Sequence, residues 1–178
     1  VANIYKYNVM LCNSDFDLEK EKEYLRVLKE KMVDGVIYMS SSLEGEILSL
    51  INELSLRTIL VETKDKEESL PSVTIDNIKA TYDATKHLIN KGLKKIAFVG
   101  VTKDNMNAWS DRYIGYESAM NDSNLPIDED LVFLKNLKVK SGYDAVEKFE
   151  SLNKRCEAVV CASDEIAMGV INAFRDRG

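Results

Sequence analysis

Six residues carry the chemistry this sequence could perform: Arg112, Asp164, Asp76, Trp109, Ser40 and Asn13. Arg112 offers a planar fork of donors that can clamp vicinal hydroxyls, a carbonyl or a carboxylate. Asp164, Asp76, Ser40 and Asn13 follow short apolar runs, and their oxygens suit a neutral polyol or heterocycle better than a polyphosphate. Trp109 supplies an aromatic face on which a sugar ring or base could stack. Four of the six have a plainer alternative. Arg112 could be a surface cation paired with Asp111 or Glu117, Asp164 and Asp76 could be helix N-caps, and Trp109 could pack at an edge of the fold.

No constellation here points to catalysis. No G-x-G-x-x-G or G-x-x-x-x-G-K-[ST] occurs at a strand–helix turn, and there is no G-x-S-x-G elbow. The one histidine, His87, falls mid-helix among apolar neighbours and reads as structural. Cys12, Cys156 and Cys161 match no C-x-x-C spacing, so no metal site and no cofactor is expected. An odd cysteine count, with Cys12 and Cys161 inside strand-like runs, reads as buried thiols in a reducing compartment, which favours the cytoplasm.

Composition narrows the classes further. The 178 residues are 45% hydrophobic and 30% charged, the balance of a soluble globular chain. The formal net charge of −6 argues against these residues tracking nucleic-acid phosphates, and no run of Lys or Arg marks a basic patch. No apolar stretch approaches the roughly 20 residues that span a bilayer, and no signal-peptide pattern opens the chain. Val1 reads as a cut inside a longer chain.

The elements that must position these residues alternate between strand and helix. Strands are expected at 7–12, 35–39, 58–61, 73–75, 95–99, 131–134 and 158–161. Amphipathic helices are expected at 18–32, 44–54, 77–91, 108–121, 142–152 and 164–175. Such alternation implies an α/β fold with parallel sheets and right-handed crossovers. The strands read as continuous apolar runs, the pattern of sheets covered on both faces. Asp76 or Asn77 should cap the third helix and Gly92 end it. A seam is expected after that helix, giving lobes 1–91 and 92–178. In open parallel sheets ligands bind beyond the carboxyl ends of the strands, which is where Asn13, Ser40, Asp76 and Asp164 fall, while Trp109 and Arg112 open the helix at 108–121.

Six segments together resemble the lactose/galactose repressor family of bacterial transcription regulators. They are YNVMLCNSD (7–15), VDGVIYMSSS (33–42), SVTIDN (72–77), ATKHLINKGLKKIAFVG (84–100), DRYIGYESAM (111–120) and ASDEIAMGV (162–170). They share the family's order and spacing over essentially the whole chain. The resemblance implies a periplasmic-binding-protein-like core of two lobes holding a small-molecule effector. Arg112 falls on the Arg of the family's R-x-x-G-[YW] motif, and Asp164 on the Asp of [NS]-D-E-x-A-x-G, both effector contacts in the family. Asp76, Trp109, Ser40 and Asn13 carry over less directly, because members vary there.

The resemblance also implies a homodimer, with Met168, Ile171 and Phe174 as contact candidates that read equally well as core. DNA would be bound only through an N-terminal helix-turn-helix that this sequence lacks, and dependence on a protein corepressor stays open. The family's first strand would precede Val1 and its last strands would follow Gly178, so the core is expected to be truncated at both ends and to fold poorly alone or exchange strands. The expected function is therefore the effector-sensing, dimerising core of a regulator. The alternatives are an extracytoplasmic sugar-binding protein of a transport system and, from a third class, a small-molecule enzyme.

Overall fold

The computed structural model describes residues 2–15, 17–40, 43, 45–65, 67–101 and 108–177, the side chain of Asn3 excepted. Ser41, Ser42 and Glu44, at the expected hydroxyl-rich turn and helix start, lie outside the described residues. Two compact units divide the chain, residues 1–74 and 75–178.

In the first unit, helix α1 (Leu18–Glu30) starts where the Asp17 carboxylate accepts from the N–H groups of Glu19 and Lys20, at 3.0 and 3.2 Å. Strand β1 (Val36–Met39), helix α2 (Gly45–Glu53), strand β2 (Thr58–Val61) and the two-residue β3 (Ser72–Val73) follow. The three strands form a parallel sheet in the order β1-β2-β3, with Val36 opposite Thr58 and Leu60 opposite Ser72. Leu25, Tyr38, Ile47, Leu50, Ile51, Leu56 and Leu60 make its core. Tyr38 also donates its hydroxyl to Glu21 at 2.6 Å, tying β1 to α1.

Four expectations fail here. Residues 7–12 form no strand, and Val9 and Leu11 are 75% and 93% exposed. Apolar β-forming side chains do not make a strand without a neighbour to complete the ladder. Cys12 goes with them and is exposed rather than a buried thiol. Met32 is exposed too, because α1 has already ended and Met32 sits at φ 53°. The first sheet is also apolar on a face that its own unit leaves bare, with Ile37, Met39, Ile59 and Val73 exposed while Tyr38, Thr58 and Leu60 are buried.

The second unit runs α3 (Asn77–Asn90), β4 (Ile96–Val101), α4 (Ala108–Asp122), a 3-10 turn at Glu129–Leu131, β5 (Val132–Lys135), α5 (Val139–Ser151), β6 (Ala158–Cys161) and α6 (Asp164–Arg177). Its parallel sheet has the order β5-β4-β6, with Phe98 opposite both Val132 and Val160. Central β4 is buried from Ile96 to Gly100. Phe98 meets Tyr113 edge-on at 5.3 Å and Tyr116 at 5.1 Å, which seats α4 on β4. The Tyr116 hydroxyl donates to the Ile96 carbonyl at 2.8 Å.

The seam falls ahead of α3 and not after it. The reason is Gly115, where a Cβ would lie 2.2 Å from the Ile78 carbonyl oxygen. Only glycine lets α3 and α4 pack this closely, so α3 belongs with the second unit. Gly142 and Gly169 do the same for α5 and α6, a Cβ on Gly169 falling 2.0 Å from the Val139 carbonyl oxygen. Gly92 ends α3 at φ 90°, as its position predicts. His87 faces solvent rather than an apolar surface. Among the described residues no helix is long and apolar enough to cross a membrane.

Candidate functional site

Four of the six nominated residues lie in the second unit, three of them at the start of a helix. Asp76 caps α3 by accepting from the Lys79 N–H at 2.9 Å. The next residue, Asn77, is buried to 4% exposure, and its Oδ1 accepts from Arg112 Nε at 2.8 Å. Arg112 also donates through Nη1 to the carbonyl of Ala162, the residue that follows β6. The guanidinium carbon lies 4.4 Å from the centroid of the Trp109 ring, one helical turn earlier on α4.

The guanidinium is thus oriented by three elements: the first residue of α3, the indole on its own helix and the turn after β6. A planar cation held along two edges and stacked on an aromatic ring loses little further entropy when it meets an acceptor. Both acceptors named here are neutral amide-type oxygens, which align the fork without cancelling its charge.

Asp164 opens α6 but does not cap it. The cap is Ser163, whose hydroxyl accepts from the Ile166 N–H at 3.3 Å. Asp164 itself is exposed and forms no hydrogen bond or ion pair with a described residue. Its carboxylate sits in the first turn of α6, where the helix dipole favours a negative charge. The capping alternative is therefore removed for Asp164 and realised for Asp76. Ala162 connects the two halves of the site, since its carbonyl engages Arg112 two residues before Asp164.

The remaining nominees belong to the first unit. Ser40 directly follows β1 and is half-buried. Asn13 stands in an exposed turn, donating from Nδ2 to Asp15 Oδ1 at 3.0 Å and accepting from the Asp15 N–H at 3.3 Å. That local pair is an Asx turn, which accounts for the Asn without a ligand.

Asn77 is the residue that reading the sequence left as no more than a cap candidate. The signal was there in principle: a polar side chain directly inside a capped helix that must be buried requires a partner. The partner could not be named, because Arg112 is 35 positions away. Elsewhere, burial pushes the Cys161 thiol up to about 11, so it is a poor nucleophile near neutral pH. Among the described residues no group of His, Cys, Asp and Glu could hold a metal ion.

All 178 residues match the family model described as periplasmic binding proteins and the sugar-binding domain of the LacI family. The transcriptional regulator RegA of Clostridium saccharobutylicum is 68% identical over 176 residues, covering 99% of this chain and 53% of that protein. Catabolite control protein A of Priestia megaterium is 34% identical over 178 residues, 54% of its length. The chain thus spans about half the length of these curated relatives. The crystal structure of the transcription regulator CcpA of Lactococcus lactis superposes with a TM-score of 0.88 at 36% identity, over all of this chain and 65% of that one. Sequence motifs, parallel sheets flanked by helices and these relatives agree: the chain belongs to the LacI family, as part of its periplasmic-binding-protein-like sugar-binding domain.

Proposed function

We propose that this chain is the effector-sensing core of a transcription regulator. A small polar molecule, a sugar or related metabolite, binds at the carboxyl ends of the second unit's strands. The observation that carries this reading is Arg112, oriented by Asn77, Ala162 and Trp109 at the turn that leads into Asp164. Arg112 donates to ring or hydroxyl oxygens, Asp164 accepts from hydroxyls, Trp109 supplies the apolar wall, and Asn77 is a positioning residue. Asp76 is a secondary contact whose carboxylate is already engaged in capping. Ser40 and Asn13 enter through the family resemblance alone.

The relatives named above are regulators, which favours this reading over a transport receptor and over an enzyme, and favours a cytoplasmic location. Signalling follows from linkage: an effector that binds one conformation of the regulator better shifts the balance toward it, typically by about 1–3 kcal/mol. DNA contact belongs to a helix-turn-helix outside these residues. A homodimer is supported by Met168, Ile171 and Phe174, which the structure exposes along one side of α6 instead of burying in the core.

The test is a thermal-shift screen of sugars and sugar phosphates on the full-length regulator, repeated with Arg112→Ala and Asp164→Ala. Loss of the ligand-induced rise in melting temperature in both variants is the expected result. An undiminished rise in both removes these residues from the site.

A further inference from the structure

At the amino ends of the second unit's strands, the end opposite the Ala162 carbonyl that holds Arg112, lies a cavity of about 790 Å3. That volume is within the range of small-molecule sites, about 300–1,000 Å3. Its floor is apolar, built from Ile96, Leu131, Leu125 and Pro126. Its rim carries Lys94, Lys95, Lys154 and Arg155 against one lining carboxylate, Asp128. Counting Asp130, which pairs with Lys154, and Glu157, which accepts from the Lys94 and Lys95 backbone, four cations stand against three carboxylates, a small positive excess on a chain of net charge −6.

The two basic pairs are about sixty positions apart and meet because β4 and β6 are neighbours. The Glu157 carboxylate accepts from the backbone N–H groups of Lys94 and Lys95 at 2.7 and 2.9 Å, and the Glu157 N–H donates to the Lys95 carbonyl at 2.7 Å. Lys154 is committed to Asp128 and Asp130, at 2.7 and 3.1 Å. The side chains of Lys94, Lys95 and Arg155 are not: they form no hydrogen bond or ion pair with a described residue.

We propose that this cavity is a second binding site, for a small organic dianion with an apolar body; an aryl phosphate monoester is the simplest representative. Its phosphate oxygens accept charge-assisted hydrogen bonds from Lys94, Lys95 and Arg155. Its ring packs on Leu125 and Pro126, which reach the surface above the buried Ile96 and Leu131. Three cations that make no direct ion pair, Lys94 and Lys95 being attracted only through space to Glu157 and Asp128, favour a dianion over a monocarboxylate, and the apolar lining favours an organic phosphate over the inorganic ion. The proposal stands apart from the reading of Arg112, which lies at the other end of the sheet.

The experiment is calorimetric titration of the full-length protein with phenyl phosphate at pH 8, where the phosphate is doubly charged. Phenol and inorganic phosphate serve as the two half-ligands. Phenyl phosphate should bind more tightly than either half, weaken on raising salt, and lose at least about tenfold in affinity in Lys95→Ala/Arg155→Ala, while Arg112→Ala leaves it unchanged. An unaltered melting temperature in the double variant, or the same loss in Lys95→Gln/Arg155→Gln, separates lost contacts from lost fold. No binding at millimolar concentration overturns the proposal. So does binding that survives the double variant, or that falls with Arg112→Ala.

Discussion

The two sheets of this protein are written in the same apolar alphabet and bury it differently. In the second unit, β4 places Ile96, Ala97, Phe98 and Val99 all at 2% exposure or less, so both of its faces are covered. In the first, β1 and β2 alternate: Tyr38 and Leu60 are buried at 8% and 0%, while Ile37 and Met39 are 78% and 68% exposed. A continuous apolar run declares that both faces of a strand are to be covered. It does not declare which residues will cover them. The second unit carries α3 to α6 with its sheet, whereas the first carries only α1 and α2. The exposed face is therefore one that residues 1–74 do not themselves cover.

The sharpest way to test that difference is to remove equivalent apolar bulk from each sheet. Phe98→Ala should cost about 3–5 kcal/mol, the usual range for a buried aromatic. Met39→Ala, on the exposed face, should cost less than about 0.5 kcal/mol. Urea unfolding of both variants measures the contrast. A cost at Met39 of core size would mean that this face is covered in the protein as it exists, and would break the comparison.

Next in size is the close helix packing found, among the described residues, only in the second unit. Gly169→Ala puts a methyl where the Val139 carbonyl stands, and overpacking of this kind costs about 1–3 kcal/mol. Gly45→Ala, at a position with nothing within 4 Å of a Cβ, is the control in the first unit and should be neutral or slightly stabilising. The melting temperatures of the two variants report the difference.

Capping gives a smaller and more local separation. Ser163→Ala should cost about 1 kcal/mol through the lost cap of α6. Asp164→Ala should leave stability nearly unchanged while weakening ligand binding. If the two variants destabilise equally, Asp164 is structural and the division of labour between these neighbours is wrong.

The smallest effect is that of pH on Glu157. The N–H groups of Lys95 and Lys94 hold its carboxyl below the usual carboxylate range. A depressed carboxylate stabilises the fold above its unfolded pKa, and that stabilisation fades as pH falls through the folded value. Glu157→Gln should therefore lower the melting temperature at pH 7, and the gap from wild type should close on acidification. A gap that widens below about pH 4 contradicts the assignment.

Much of the fold was legible because local rules agreed. Helices α3 and α4 start within a residue of where their caps and periodicity place them, and β2 and β6 match their apolar runs residue for residue. The failures share one cause. The segment 7–12, the seam at Lys91–Gly92, the burial of Cys12 and the apolar setting of His87 each depended on what packs against a segment, and periodicity carries no information about the neighbour. The candidate site was half legible on the same grounds. Asp76 and Asp164 follow from their places after strands, and Arg112 from its motif, but their division into a cap and an uncommitted carboxylate needed the hydroxyl of Ser163 to be in place.

By itself the sequence determined the α/β class, the order of the elements and the end of the second sheet at which Asp164 and the Arg112 motif stand. Those features follow from side-chain period, turn residues and the polarity of parallel strands, all readable within a dozen residues. Only the tertiary structure decided that Asn77 and Ala162 aim Arg112, that Gly115 draws α3 into the second unit, and that two distant basic pairs converge on one cavity. These depend on contacts between residues some 35 to 60 positions apart, and such contacts exist only after helices and strands have packed.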